Sequence, residues 1–189
     1  AVEMAPRDPI LGLNEQFAAD TNPNKVNLGV GVYFDDNGKL PLLGCVQAAE
    51  KALMDKPTAR GYLPIDGIAA YDKAVQGLVF GADAEPVTSG RVATVQALGG
   101  TGGLKIGADF LKKVSPNAKV MISDPSWENH RALFTNAGFQ VDTYAYYDAA
   151  KRGVNFEGML ASLNAAAAGT IVVLHACCHN PTGYDLTSA

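Results

Sequence analysis

The segment HACCHNPTG, residues 175–183, carries the densest group of chemically active side chains in the sequence. It places His175 and His179 around the adjacent Cys177 and Cys178, and histidine and cysteine are common zinc ligands. The apolar residues before it predict an extended approach, in which the two histidines would stand about 13 Å apart, too far to share one metal ion. The sequence therefore favours no metal site, and it predicts that both cysteines are small residues packed under this loop.

A glycine-rich loop, GGTGG at residues 99–103, is a second candidate site. A predicted strand before it and a predicted helix after it would point several backbone N–H groups at an anion such as phosphate. A flexible turn is the plain alternative. Neither the dinucleotide nor the P-loop motif is met, because Lys105 stands at the third glycine position and no Gly-Lys-Ser/Thr follows. Asp124, ending the next predicted strand, is still placed to bind a ribose, so a nucleotide site remains open.

Three aromatic side chains lie in polar loops where a ligand would be accessible. Trp127, the only tryptophan, belongs to DPSWENH, and a flat indole there is suited to stack on a flat ligand. A lone tryptophan is more often partly buried in a core. Similarly, His130 is placed to cap its helix, and Tyr62, in RGYLPIDG, to brace its turn.

The elements that must position these loops alternate between strand and helix. Such a βαβ series predicts an α/β fold with a mainly parallel sheet, whose ligands bind beyond the carboxyl ends of the strands. Of the loops described above, GGTGG, DPSWENH and HACCHNPTG leave those ends, as does YYD at residues 146–148. Strands are predicted over 91–98, 119–124, 139–147 and 170–174, and helices over 43–54, 68–78, 104–114, 129–137 and 156–163.

The first forty residues have a different pattern. A short amphipathic helix is predicted after Pro9, and residues 25–34 then alternate like a half-buried strand. We expect residues 1–40 to form a separate piece and residues 41–189 to form the larger domain. The alternating apolar residues of the predicted strand are Val26, Leu28, Val30 and Val32.

Composition narrows the partners and the compartment. The net charge of -4 and the absence of any long basic run argue against nucleic acid. No apolar run approaches the roughly 18 residues of a membrane helix, and the first residues lack the pattern of a signal peptide. Three cysteines, two of them adjacent, indicate no disulfide framework and favour a reducing cytoplasm. Cys45 is predicted to be a small core residue.

Five motifs together resemble the N-terminal half of class I pyridoxal phosphate aminotransferases, of the aspartate and aromatic group. They are NLGVGVY, RGYLPIDG, QALGGTGGLKIGADF, SDPSWENH and VLHACCHNPTG. The resemblance implies the large domain of fold-type I, with the N-terminal part of a small domain in residues 1–40. It also implies a homodimer that uses pyridoxal 5'-phosphate for ping-pong transfer of an amino group between an L-amino acid and a 2-oxo acid such as 2-oxoglutarate. The choice between aspartate and aromatic amino acids stays open.

The resemblance assigns some residues to the cofactor phosphate. Gly100 and Thr101 would hold it within one subunit, whereas Tyr62 would reach the phosphate of the neighbouring subunit. Gly99 stands where a serine is often found, so one side-chain contact to the phosphate would be missing.

Other residues would serve the cofactor ring and the substrate. Trp127 would stack over the pyridine ring and border the substrate. Asn180 would donate a hydrogen bond to the ring hydroxyl oxygen and help to seat the substrate carboxylate. His130 and His175 would orient the aspartate that serves the ring nitrogen, and Gly31 would line the substrate entrance.

The resemblance also implies what these residues lack. The Schiff-base lysine, the acid at the ring nitrogen and the substrate arginine are expected downstream of Ala189, so no catalytic residue is predicted within this chain. Cis peptide bonds are expected at Asp124-Pro125 and Asn180-Pro181. A non-catalytic nucleotide- or phosphate-binding α/β module is the alternative function.

Overall fold

The computed structural model describes residues 2–8, 10–27, 29 and 31–188. The chain divides into two compact units, Ala1–Gly61 and Tyr62–Ala189. The domain boundary after residue 40, suggested by the sequence pattern, stays a prediction.

The described residues of the first unit form two helices, α1 (Leu11–Ala19) and α2 (Gly44–Asp55). The carboxylate of Asp8 accepts the N–H groups of Ile10 and Leu11 at 2.9 and 2.7 Å, and so satisfies donors at the start of α1. Both helices agree with the sequence pattern.

The strand predicted over residues 25–34 is wrong for those of its residues that the structure describes, which are irregular. Leu28 and Val30 lie outside the described residues. A strand needs a neighbouring strand for its backbone hydrogen bonds, and the described part of this unit contains none. Its backbone hydrogen bonds after this segment are instead local, as between Asp35 and Lys39.

The described residues of the second unit form α3 (Ala69–Phe80), α4 (Glu85–Thr88), α5 (Gly99–Val114), β1 (Val120–Asp124), α6 (Glu128–Asn136), β2 (Val141–Ala145), β3 (Tyr147–Asp148), β4 (Gly153–Val154), α7 (Phe156–Asn164) and β5 (Ile171–Val172). The helices alternate with a parallel sheet of order β2-β1-β5, which confirms the predicted α/β class. In register, Val120 of β1 lies beside Val141 of β2 and Ile171 of β5. A short antiparallel hairpin, β3–β4, completes the strands that the structure describes.

Strand β1 is the centre of the core because both of its faces are covered. Val120 and Ile122 pack on one side with Ala108 of α5 and with Phe134 of α6. Met121 points to the other side, where the buried core residues are Tyr144, Tyr146 and Met159. This two-sided burial explains the nearly continuous apolar sequence of β1 and is typical of parallel sheets. No helix in the described ranges is long and apolar enough to span a membrane.

The strand predicted over residues 91–98 is also wrong, because this segment is irregular. Its residue Gln96 bonds to a turn rather than to a strand. The Gln96 N–H donates to the Asp66 carbonyl at 2.9 Å, and the Gln96 side-chain oxygen accepts the Ile68 N–H at 3.0 Å. Gly67 lies in this turn with φ of +103°, and a Cβ added to it would stand 2.3 Å from Gln96 Cβ. The residues leading to the glycine loop are therefore held by tight contact with one glycine.

Candidate functional site

Five aromatic rings meet beyond the carboxyl ends of the parallel strands, and we call them the ring cluster: Trp127, His130, His175, His179 and Tyr146. Trp127 and His130 follow β1, Tyr146 follows β2, and both His175 and His179 follow β5. Neighbouring ring centroids are 5.3, 5.1 and 4.3 Å apart from Trp127 through His130 and His175 to His179. His179 then stacks on Tyr146 at 3.9 Å. The cluster thus joins loops from all three parallel strands, at the sheet edge that the sequence indicated.

His179 is the structural centre of this cluster. Its side chain is 2% exposed, and its Nε2 lies 2.9 Å from Ser123 Oγ at the end of β1. Its Nδ1 lies 2.8 Å from Thr182 Oγ1, so that one imidazole connects the sheet to the loop containing Asn180. This geometry gives His179 a structural role in the site. Its connection to Ser123 was not foreseen, because the two residues are 56 positions apart.

The histidines of the cluster are held neutral. Burial, followed by the proximity of His175, lowers the pKa of His179 to about 4, although Asp185 acts in the opposite direction. Burial also lowers the pKa of His130 and of His175. His130 Nδ1 pairs with Ser126 Oγ at 2.9 Å. Within the described ranges, His175 Nδ1 is buried without a hydrogen-bond partner, which marks a position suited to a further polar group.

The distance predicted between His175 and His179 for an extended segment is wrong. The chain bends over residues 176–178, with φ of +53° at Cys178, and brings the two rings to 4.3 Å instead of about 13 Å. The same bend leaves Cys177 and Cys178 exposed rather than packed beneath the loop, while His179 is buried. No group of three or more metal-binding side chains occurs in the part of the chain that the structure describes. Cys45 is exposed too, against prediction, because α2 buries none of its described residues.

The loop that follows His179 has a closely bonded backbone. Both predicted cis peptide bonds are present, at Asp124-Pro125 and Asn180-Pro181. The Gly183 N–H donates to the His179 carbonyl at 2.8 Å, closing the turn around Asn180. The Asp185 carboxylate accepts the N–H groups of Cys178 and His179 at 2.7 and 2.8 Å. Asp185 was missed by the sequence reasoning, and its only signal there is an acidic side chain just after NPTG.

The glycine loop is the first turn of α5, which begins at Gly99 rather than at the predicted Leu104. The N-cap residue Leu98 makes no side-chain cap, and the first N–H groups of a helix lack intrahelical partners. Gly100 and Thr101 are exposed in this turn. A Cβ added to Gly100 would meet nothing within 4 Å, so its surroundings are open. The turn therefore offers backbone donors to an anion, as expected.

The remaining predicted residues do not belong to the ring cluster. Asn180 is exposed and adjoins the cluster through its chain neighbour His179. Tyr62 is fully exposed at the start of the second unit. Gly31 lies in an irregular, exposed segment of the first unit. Of the predicted set, the structure thus brings together Trp127, His130 and His175.

The chain belongs to the family Aminotransferase class I and II, whose profile matches residues 23–189. An aspartate aminotransferase of Pseudomonas aeruginosa is 67% identical over 186 residues, which are 98% of this chain and 47% of that protein. These findings confirm the resemblance seen in the five motifs. The chain spans about half the length of the relatives it matches.

Solved structures agree with the sequence comparison. An aromatic-amino-acid aminotransferase from Burkholderia pseudomallei, covalently bound to pyridoxal phosphate, is 68% identical with a TM-score of 0.92. The match covers 99% of this chain and 47% of that one. An aromatic amino acid aminotransferase from Psychrobacter sp. B6, cocrystallised with aspartic acid, is 46% identical with a TM-score of 0.91, covering 98% and 47%. The fold is that of the N-terminal part of fold-type I aminotransferases.

Proposed function

We propose that the full-length protein containing this chain is a pyridoxal phosphate-dependent aminotransferase. It moves an amino group between an L-amino acid and a 2-oxo acid such as 2-oxoglutarate, in a ping-pong reaction. The observation that carries the proposal is the ring cluster, where Trp127 lies beside His130 and His130 beside His175. The buried His175 Nδ1 has no partner among the described residues. Family membership and the cofactor of the Burkholderia pseudomallei enzyme support the same function.

The residues present fit the cofactor at its phosphate end. Gly100 and Thr101 would bind the phosphate with backbone N–H groups and the threonine hydroxyl, at a helix N-terminus that is open and uncapped by its N-cap residue. Tyr62 would serve the phosphate of a second subunit, and its complete exposure supports that proposal. Homodimer formation with shared sites remains part of this proposal.

The ring end fits as well. Trp127, which packs edge-to-face with His130, would stack on the pyridine ring through a face of its indole. Asn180 would donate to the ring hydroxyl oxygen and help to seat the substrate carboxylate. When bound, pyridoxal phosphate supplies an electron sink that stabilises negative charge at the α-carbon of the amino acid.

His130 and His175 would act by positioning rather than by accepting a proton. Burial lowers the pKa of both histidines, so each imidazole is neutral at pH 7 and offers one N–H donor. The unpaired His175 Nδ1 would bind the carboxylate of the aspartate that serves the ring nitrogen. We place that aspartate, like the lysine that attaches the cofactor, outside residues 1–189.

The substrates are aspartate or aromatic amino acids, and Gly31 would line their entrance. Both substrate classes are supported by similar proteins, which include an aspartate aminotransferase of Pseudomonas aeruginosa and an aromatic-amino-acid aminotransferase of Burkholderia pseudomallei. We place the protein in the cytoplasm, a proposal supported by three exposed cysteines that are all free.

Incubation of the full-length protein with pyridoxal phosphate, aspartate or phenylalanine, and 2-oxoglutarate tests the proposal. Formation of glutamate, lost on removal of the cofactor and restored by its return, is the expected result. Borohydride reduction followed by peptide mass spectrometry should then find the cofactor on a lysine outside residues 1–189. Absence of amino transfer with either amino acid would contradict the proposed function, and an adduct on a lysine of this segment would contradict the placement of the lysine.

A further inference from the structure

The turn around Asn180 is held by backbone hydrogen bonds on one side and by a carboxylate on the other. The Gly183 N–H donates to the His179 carbonyl at 2.8 Å across the Asn180-Pro181 pair. On the other side, the N–H groups of Cys178 and His179, which immediately precede Asn180, donate to the two oxygens of Asp185 at 2.7 and 2.8 Å. One carboxylate thus binds both residues before Asn180 by charge-assisted hydrogen bonds.

The shape of this turn does not arise from local preference alone. Cys178 has φ of +53°, a left-handed conformation that is unfavourable for a residue with a side chain. Its N–H is one of the two that Asp185 binds. The carboxylate therefore stabilises the conformation that directs the chain into Asn180, and these two bonds lower the pKa of Asp185.

The backbone next to Asp185 is bonded to a buried residue that follows the sheet. Its neighbour Tyr184 accepts the Tyr146 hydroxyl at 2.8 Å through its backbone carbonyl. Tyr146 is 4% exposed and stacks on His179, whose ring reaches Ser123 at the end of β1. The carboxylate consequently acts from a backbone that is tied to the buried core.

We propose that Asp185 is a positioning residue for Asn180, holding the amide where it meets the cofactor ring and the substrate carboxylate. This inference rests on the proposed function. Asp185 touches neither ligand and acts through the backbone of Cys178 and His179. Because its side chain is exposed, water can replace it at the two N–H groups. Removing the carboxylate should therefore disturb the geometry of the turn more than the stability of the protein.

The test compares Asp185→Ala with a matched control, Asp35→Ala, in the full-length protein. Asp35 also binds two backbone N–H groups with its carboxylate, those of Asn37 and Lys39 at 2.9 and 2.8 Å, but in a turn of the first unit. We expect Asp185→Ala to lower kcat/KM by about 10- to 100-fold, the usual cost of a misplaced site group. The two variants should lose similar amounts of thermal stability, and Asp35→Ala should keep wild-type kcat/KM.

Two further variants test the route of action. Asp185→Asn keeps one oxygen acceptor, so its kcat/KM should lie between wild type and Asp185→Ala. If Asp185 acts through Asn180, the double variant Asn180→Ala/Asp185→Ala should be no slower than Asn180→Ala alone. Losses that multiply in the double variant, or an Asp185→Ala enzyme within twofold of wild type, would overturn the proposal.

Two measurements do not depend on turnover. Equilibrium dialysis with pyridoxal phosphate should show weaker binding to Asp185→Ala than to Asp35→Ala. Hydrogen exchange of the apo protein should show faster exchange over residues 178–183 in Asp185→Ala only. Unchanged exchange and unchanged cofactor affinity would refute the positioning role even in an active enzyme. Lack of amino transfer by the wild type would instead refute the proposed function, with the exchange result still deciding whether Asp185 holds the turn.

Discussion

The ring cluster and the first turn of α5 are the two parts of the candidate site that the structure defines best, and they are built in opposite ways. In the cluster, His179 is buried and uses its side chain to join Ser123 and Thr182. In the helix turn, Gly100 and Thr101 are exposed, and the available polar groups include backbone N–H donors without intrahelical partners.

The two parts differ in the interactions that determine their geometry. The ring cluster depends on packing between loops that are distant in sequence, so burial and hydrogen-bond partners determine its protonation and geometry. The helix turn depends on backbone conformation, which glycine adopts at low cost. Substitutions and pH should therefore affect the two parts differently.

The largest expected effect concerns residues 91–98, which lead to the helix turn. It would weaken the contrast with the ring cluster, because it would show that packing also matters for the helix turn. Gly67→Ala should destabilise the full-length protein by about 4 kcal/mol. The new Cβ would overlap Gln96, and a φ of +103° is unfavourable for alanine. Gly61→Ala is the matched control, since its added Cβ meets nothing within 4 Å. Chemical denaturation measures both. Equal stability of the two variants would show that Gly67 and Gln96 are not in close contact.

The pH dependence of stability should come from the ring cluster. The pKa of His179 is about 4 in the folded protein, below its unfolded value near 6.5, so the unfolded state binds more protons between these values. Stability is then complete above about pH 6.5 and falls as the pH drops toward 4, by at most about 3 kcal/mol from this residue. His130 and His175 shift in the same direction.

Denaturation of the full-length protein between pH 7.5 and pH 4.5 measures this loss. His179→Gln should flatten the profile in that range, since glutamine does not titrate. A profile equally steep in this variant would place the pH dependence elsewhere.

A smaller effect should separate two adjacent glycines of the helix turn. Gly99 has φ of +65°, so Gly99→Ala should cost about 1–2 kcal/mol. Gly100→Ala, in the same turn without a positive φ, should instead stabilise the apo protein by about 0.5–1 kcal/mol. Neither added Cβ meets an atom within 4 Å, so the pair isolates backbone conformation from packing. Similar unfolding free energies for both variants would show that the positive φ at Gly99 does not make alanine more costly there than at Gly100.

The smallest expected effect belongs to the exposed side of the ring cluster. Trp127→Ala should weaken pyridoxal phosphate binding to the full-length protein by about 0.5–1.5 kcal/mol beyond the loss of buried area, while Trp127→Phe should retain much of the stacking. Titration of the apo protein with the cofactor, followed by absorbance, measures both. Unchanged affinity in the alanine variant would show that the indole does not stack on the cofactor.

Much of the fold and of the site follows from the sequence by itself. Periodic apolar residues correctly indicated the α/β alternation around β1, including α5, α6 and α7, because burial on one face leaves a local trace. The motifs identified Trp127, His130 and His175, which the structure brings together. They also predicted both cis prolines, since these positions lie within the family's characteristic segments.

Only the tertiary structure decided which extended segments became strands and which side chains of the 175–183 loop became buried. Residues 91–98 have a strand-like pattern, but a strand forms only where another segment supplies hydrogen-bond partners, and Gln96 bonds to a turn instead. Likewise, the bend at Cys178 exposes both cysteines, while His179 is buried between Ser123 and Thr182. The periodicity of apolar residues indicates which face of a segment is buried. The hydrogen-bond partners of a segment and the burial of a loop residue depend on residues far away in the chain.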